Sequence, residues 1–313
     1  MATLVLLTSE IEIIDQHHKV TLERLMRLHP RTPQCVVAFL AGSLPGTAIV
    51  HKKMLALFGM ICRLPGNVLH TYATKVLVSS KPSSRSWFTN IRELCLQYGL
   101  PHPLFLLQYP GTKESFKNLT KKHIMDYWEI HLRQYAQSLS SLEYFHPNFM
   151  SLATPHPIWT TAGSSSYQIS MASIQAIMLS GRYRTELLCS NWSSDTDGNC
   201  QAPSCKGSAQ PEDLRHILAV CNSLALVRVN LLSFTTKYCQ KYPAIKPIIE
   251  TYCSPTHPLF CQFLLDCSVL PDIIRARQVT GPDLMSHLFR VTRTWCYCIH
   301  KARLKTLNRW HKF

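Results

Sequence analysis

The sequence predicts an all-α protein, an irregular helical bundle with a small Cys/His insertion and a long C-terminal helix. Three observations carry this. Apolar residues recur at helical spacing along most of the chain, no window alternates with period two for long enough to make a sheet, and Gly, Pro and Ser clusters separate the apolar stretches. With 313 residues, 46% of them hydrophobic, the chain is long enough to bury a real core. Wholesale disorder is excluded, because it needs few apolar groups and many charges.

The first predicted helix runs over residues 11–28, where Ile11, Ile14, Leu22, Leu25, Met26 and Leu28 fall mostly at helical spacing before the stop His29-Pro30. Helices follow at 34–44, 47–63 and 67–78, the first two ended by Pro45-Gly46 and Pro65-Gly66. The polar run 79–84 reads as a short linker. Over 87–98, Trp87, Ile91, Leu94, Cys95 and Tyr98 share one helical face, and Gly99 is a natural stop. A long amphipathic helix is expected over 113–142, irregular chain over 145–166, and a helix over 167–179. The polar stretch 190–210 precedes helices at 212–220, 224–240 and 258–269. The last helix runs from Asp283 to about Trp310. His-Pro occurs at His29, His102, His146, His156 and His257, and these are read as helix boundaries, since the residue before proline avoids the helical region.

Lys plus Arg number 33 against 18 Asp plus Glu, a net charge of +15. Such a surplus favours nucleic acid or another anionic surface as partner. No apolar run approaches the roughly 18 residues of a membrane span, and the apolar start, 1–7, lacks a basic n-region. The expectation is an intracellular protein of the nucleus or cytoplasm, not secreted, with no membrane partner. Its 13 cysteines, an odd number, are then reduced thiols.

The most informative residues are Cys200, Cys205, His216 and Cys221, spaced C-x4-C-x10-H-x4-C. Three thiolates and an imidazole make a closed tetrahedral zinc site, structural because no position is left for water. Residues five apart on a regular helix point about 140° apart, so Cys221 must stand at or past the end of the helix that carries His216. The competing reading is three unrelated thiols and a surface histidine in a cysteine-rich chain. A second set, Cys253, His257, Cys261 and Cys267, lies among Phe260, Phe263, Leu264 and Leu265 and reads as core.

Two basic features point to nucleic acid. Arg182, Tyr183 and Arg184 follow Gly181, with Trp192 and Lys206 close after; Arg pairs with phosphate, and Tyr or Trp stacks on unpaired bases. The alternative is an ordinary helix end with solvated arginines. The last helix carries Arg290, Arg293, Lys301, Arg303, Lys305 and Arg309, with no acid after Asp283. It reads as a phosphate-tracking face, with a membrane-surface helix or a merely solvated face as alternatives. Catalytic signals are absent: there is no Gly-rich phosphate loop, no G-x-S-x-G, no H-E-x-x-H and no Asp-Asp pair. No enzymatic activity is expected.

The run Leu179-Ser180-Gly181-Arg182-Tyr183-Arg184-Thr185-Glu186 resembles the segment just upstream of the zinc knuckle in animal non-LTR (LINE-type) retrotransposon reverse transcriptases. Gly198-Asn199-Cys200, Pro203-Ser204-Cys205, then Glu212 to Leu218 and Cys221 follow in that family's order. Ser86-Trp87-Phe88, Phe263 to Ser268 and Thr292 to Cys296 fit as well. The resemblance implies the region after the polymerase thumb, with the catalytic palm lying before Met1 and the upstream polymerase portion as a partner. It implies a helical linker over 1–180, a CCHC zinc knuckle over 181–223 and a C-terminal helical region over 224–313. Cys200, Cys205, His216 and Cys221 become the ligands of one structural Zn²⁺. The function implied is non-catalytic binding of template RNA or target DNA. The alternative is a helical protein-interaction scaffold, or an inert remnant of a mobile element.

Overall fold

The computed structural model describes residues 8–79, 86–280 and 283–308. The chain is all-helical, and the single β-feature among the described residues is one isolated bridge. Its α-helices are α1 (Thr8–Met26), α2 (Gln34–Ala41), α3 (Gly46–Cys62), α4 (Val68–Ser79), α5 (Trp87–Gln97), α6 (Pro103–Gln108), α7 (Lys113–Gln137), α8 (Pro157–Thr160), α9 (Ser166–Leu179), α10 (Glu186–Ser190), α11 (Ala225–Lys241), α12 (Lys246–Tyr252), α13 (Phe260–Leu265), α14 (Pro271–Thr280) and α15 (Asp283–Thr306). Most of the expected helices are present within a few residues. α6, α8, α10, α12 and α14 were not expected; all are short, α8 lies in the stretch expected to be irregular, and all but α10 have Pro at the first or second position, where proline suits a helix start. The helix expected over 258–269 is broken at Asp266, which leaves the helical region and caps a following 3₁₀ turn. The linker expected over 79–84 lies, after Ser79, outside the described residues. No single described helix is long and apolar enough to cross a membrane.

The chain forms two compact units. One takes the residues up to Leu22 together with Ser43–Tyr135; the other takes Glu23–Gly42 and everything from Ala136. The units run along other lines than the three regions drawn from the sequence: residues 136–180, the Cys/His region and the C-terminal region share one of them.

In the first unit Leu55, Phe58, Ile91 and Ile124 are fully buried, from α3, α5 and α7. Tyr98 joins these helices by polar bonds. Its hydroxyl accepts from Trp128 Nε1 at 3.1 Å and meets His51 Nδ1 at 2.7 Å. Burial lowers the His51 pKa to about 4, which keeps the imidazole neutral.

In the second unit α15 is the axis, packed against α9, α11 and α13. Trp295 is fully buried, with its edge on Phe260 and its Nε1 donating to Thr235 Oγ1 at 2.9 Å. Gln175 of α9 donates to the Leu264 carbonyl and to Thr292 Oγ1. Arg293 is buried and donates to the carbonyls of Ile158 (3.1 Å) and Thr161 (2.7 Å). This corrects its assignment to a phosphate-facing surface: its partners are backbone carbonyls inside the fold.

The His-Pro dipeptides are a recurrent local device. In four of the five, His Nδ1 accepts the backbone N–H two residues on, at Arg31, Leu104, Ile158 and Leu259. Proline offers no N–H at the intervening position, so the ring turns to the next donor, and the proton is left on Nε2. At His156 that Nε2–H donates to the buried carboxylate of Asp266 at 3.3 Å.

Replacing Arg293 by Ala removes two charge-assisted bonds to buried carbonyls. Urea unfolding should show a loss of about 2–3 kcal/mol, whereas exposed Lys301→Ala stays within about 0.5 kcal/mol.

Candidate metal centre

The Cys/His site is built on two glycines and a β-bridge. After α9 the chain turns at Gly181 in the left-handed region (φ +66°), where a Cβ would lie 2.0 Å from the Ser141 carbonyl oxygen. Only glycine fits such an approach. Thr185 then caps α10, accepting from Leu188 N. Gly198, also left-handed (φ +79°), leads into the bridge between Asn199 and Pro211. Cys200 N donates to Gln210 O, and Glu212 N to Gly198 O, both at 2.9 Å. The bridge closes the loop that carries Cys200 and Cys205, so the long spacer before His216 folds back instead of widening the site.

His216 and Cys221 meet through an unusual turn. Residues His216–Val220 form a π-helical turn, closed by Cys221 N donating to the His216 carbonyl at 2.7 Å. The wider turn brings position i+5 round toward position i, which a regular helix does not. Cys221 is the C-cap, already outside helical geometry (φ −51°, ψ 115°). The expected placement of Cys221 at a helix end is what the chain adopts. Asp213 Oδ1 accepts His216 N at 2.6 Å and fixes the start of the turn.

Four buried donor atoms result, all within 4.8 Å of one another. Cys200 Sγ lies 4.0 Å from Cys221 Sγ, and Cys205 Sγ lies 3.7 Å both from Cys221 Sγ and from His216 Nε2. A tetrahedral zinc site with bonds of about 2.3 Å to sulfur and 2.0 Å to nitrogen has edges of about 3.5–3.8 Å. The sulfurs are far beyond the roughly 2.05 Å of a disulfide. The donor set therefore fits one zinc ion, with every position taken by protein.

The surroundings suit such an ion. Burial lowers the His216 pKa, which favours the neutral, ligating imidazole. Burial raises the Cys200 and Cys221 thiols, whereas at Cys205 burial is outweighed by hydrogen bonds from the Asn222 backbone, Cys221 and Cys200, which bring the thiol down. Arg228, itself buried, donates to the Cys221 carbonyl at 2.7 Å, and its charge is felt by Cys221 and Cys205. Three thiolates around a dication carry one excess negative charge, which a neighbouring guanidinium offsets. Nothing in the spacing pointed to Arg228.

In the second Cys/His set the three cysteines, Cys253, Cys261 and Cys267, lie in the core as expected, while His257 is half-buried and its Nδ1 accepts Leu259 N. No other group of described residues gathers donors as the first set does.

The expected nucleic-acid contacts divide. Tyr183 and Arg303 are corrected along with Arg293. Tyr183 is buried, with its hydroxyl 2.9 Å from His300 Nδ1, and burial pushes its phenol up to about 12. Arg303 is buried in an ion pair with Glu212 and lies over the Tyr183 ring. Arg303 is committed inside the fold, while Tyr183, with its hydroxyl engaged, keeps only an edge among the residues lining a cleft. Arg184, Trp192, Lys206, Arg290, Lys301 and Lys305 are exposed, and Arg182 is half-buried. Arg290 and Lys301 lie over the rings of Tyr238 and Tyr297. Arg309 lies outside the described residues.

Arg182, Arg184 and Trp192 line a cleft of about 600 Å³ with Arg27, His29 and Arg31, residues the sequence did not connect to them. No carboxylate lines it among the described residues. No family model matches the chain, and neither does any curated protein or solved structure.

Purified protein should carry about one zinc per chain, and Cys200→Ser with Cys205→Ser should abolish it. Protons compete for the same sulfurs, so affinity should fall steeply as pH drops from about 7.5 to about 5.5. Metal analysis after dialysis at each pH measures both.

Proposed function

We propose that the chain is a zinc-stabilised, non-catalytic nucleic-acid-binding module. The observation that carries this reading is the acid-free cleft with its four arginines, Arg27, Arg31, Arg182 and Arg184. Guanidinium groups gathered without carboxylate partners attract phosphate, and Arg pairs with it bidentately. Exposed Lys206, Arg290, Lys301 and Lys305 extend the cationic surface, in line with the +15 net charge. Zinc on Cys200, Cys205, His216 and Cys221 holds the loop beside the cleft and does no chemistry, since the ligand set is closed.

The resemblance to the post-thumb region of LINE-type reverse transcriptases supports template RNA or target DNA as the ligand, and an upstream polymerase portion as partner. Three residues of the shared motifs have structural work in the fold: Gly181 makes the close turn, Glu212 accepts from Glu186 N, and Glu186 accepts from Thr196.

A second reading, a protein-interaction scaffold, is favoured by one observation. Leu226, Val229 and Leu232 stand exposed at three-residue spacing along α11. Salt dependence separates the two. Oligonucleotide affinity should fall linearly with added salt on a log–log plot, and Arg31→Gln or Arg184→Gln should each lower the slope by about 0.7–0.9. Undetectable or salt-insensitive binding in titrations followed by fluorescence anisotropy would favour the scaffold.

A further inference from the structure

The cleft has two kinds of wall. Arg27, Arg31, Arg182 and Arg184 make the cationic one, while Pro30, Ile174, Ile177 and Leu188 contribute an apolar one. Trp192 lines the cleft while remaining 56% exposed. Its volume of about 600 Å³ is that of a small-ligand pocket, larger than any single phosphate needs. Exposed lysines and arginines alone suffice to follow a duplex backbone. A duplex keeps its base faces stacked, so it has no use for a concave apolar wall beside an indole.

Two details indicate what the cationic wall lacks. Arg182 Nε is buried with no hydrogen-bond partner. Such an N–H is costly unless an incoming acceptor satisfies it. The His29 pKa is lowered by burial first, then by the charges of Arg182 and Arg31, with Glu23 opposing and Arg184 adding to them. The guanidinium charges thus converge on one imidazole. Its Nδ1 already accepts Arg31 N, so the neutral ring offers Nε2–H as a donor.

We infer that the cleft binds one unpaired nucleotide of a single strand. The phosphate sits on Arg182, Arg184 and the 27–31 turn, and the base lies against Trp192 and the apolar wall. This rests on the nucleic-acid reading and narrows it to single-stranded RNA or DNA engaged by stacking as well as charge. Because every base has a π-face, the site is tolerant of base identity.

The test uses the full chain and a labelled oligonucleotide as RNA single strand, DNA single strand and DNA duplex, with affinity read by anisotropy. Single strands should bind more tightly than duplex. Trp192→Ala should weaken single-strand binding about tenfold and leave duplex binding unchanged, and Trp192→Phe should retain most of the affinity. Arg182→Gln should weaken single-strand binding, whereas Lys75→Gln, on the exposed face of α4 and outside the cleft, should leave it unchanged. RNA and DNA arms of equal affinity place recognition on base and phosphate, and tighter RNA binding adds the 2′-hydroxyl to the same contact. Equal affinity for duplex and single strand, or an unchanged Trp192→Ala, overturns the single-strand site while nucleic-acid binding stands. Absence of binding to all three at low salt overturns both.

Discussion

The buried pair between Glu212 and Arg303 ties the Cys/His region to the axis of its unit. Glu212 follows the β-bridge that closes the cysteine loop, and its Oε1 also accepts Glu186 N at 3.0 Å. Arg303 stands near the end of α15 and covers the Tyr183 ring. One carboxylate thus gathers the start of α10, the loop before the π turn and the last helix. Such a pair contributes little against a well-packed apolar alternative, but removing one partner strands a buried charge at a cost of about 3–5 kcal/mol. What it fixes is position: the loop carrying Cys200 and the turn carrying His216 are held to the same helix.

The excess of basic residues has two uses in this molecule. Arg228, Arg293 and Arg303 are buried and direct donors to carbonyls or a carboxylate, though each also keeps one buried N–H without a partner. These three arginines hold structure together. The arginines of the cleft are a different population, with aromatic and apolar neighbours and no carboxylate among the described residues that line it. Net charge alone does not separate the two, because both count equally in the sum. Place separates them, not an unmet N–H, which occurs in both: Arg228, Arg293 and Arg303 are buried inside the fold, whereas Arg184 is exposed and Arg182 half-buried at the wall of a cleft that a ligand can enter.

Much of the helical outline was legible from periodicity, and α5 with its stop at Gly99 is the clearest case. α6, α8, α10, α12 and α14 were not, because elements of four to ten residues show too few turns for a period to register. The four donors of the metal centre were legible from residue type and spacing, and so was the need for Cys221 to leave the helix. The π turn that satisfies this need was not, since it depends on a backbone bond between two ligands and not on composition. The misplacement of Tyr183 and Arg303 has a definite cause. Arg303 finds its acid 91 residues away, and Tyr183 finds His300 117 residues away. Likewise the cleft joins residues 27–31 to 182–192, an approach that no local pattern encodes.

The account turns on the four donors meeting at one ion. X-ray absorption at the zinc edge of the purified chain reads that shell directly. Three sulfurs at about 2.3 Å and one nitrogen at about 2.0 Å are predicted, with no oxygen in the shell. A shell containing water or carboxylate oxygen, or protein that folds fully and holds no zinc, would contradict it.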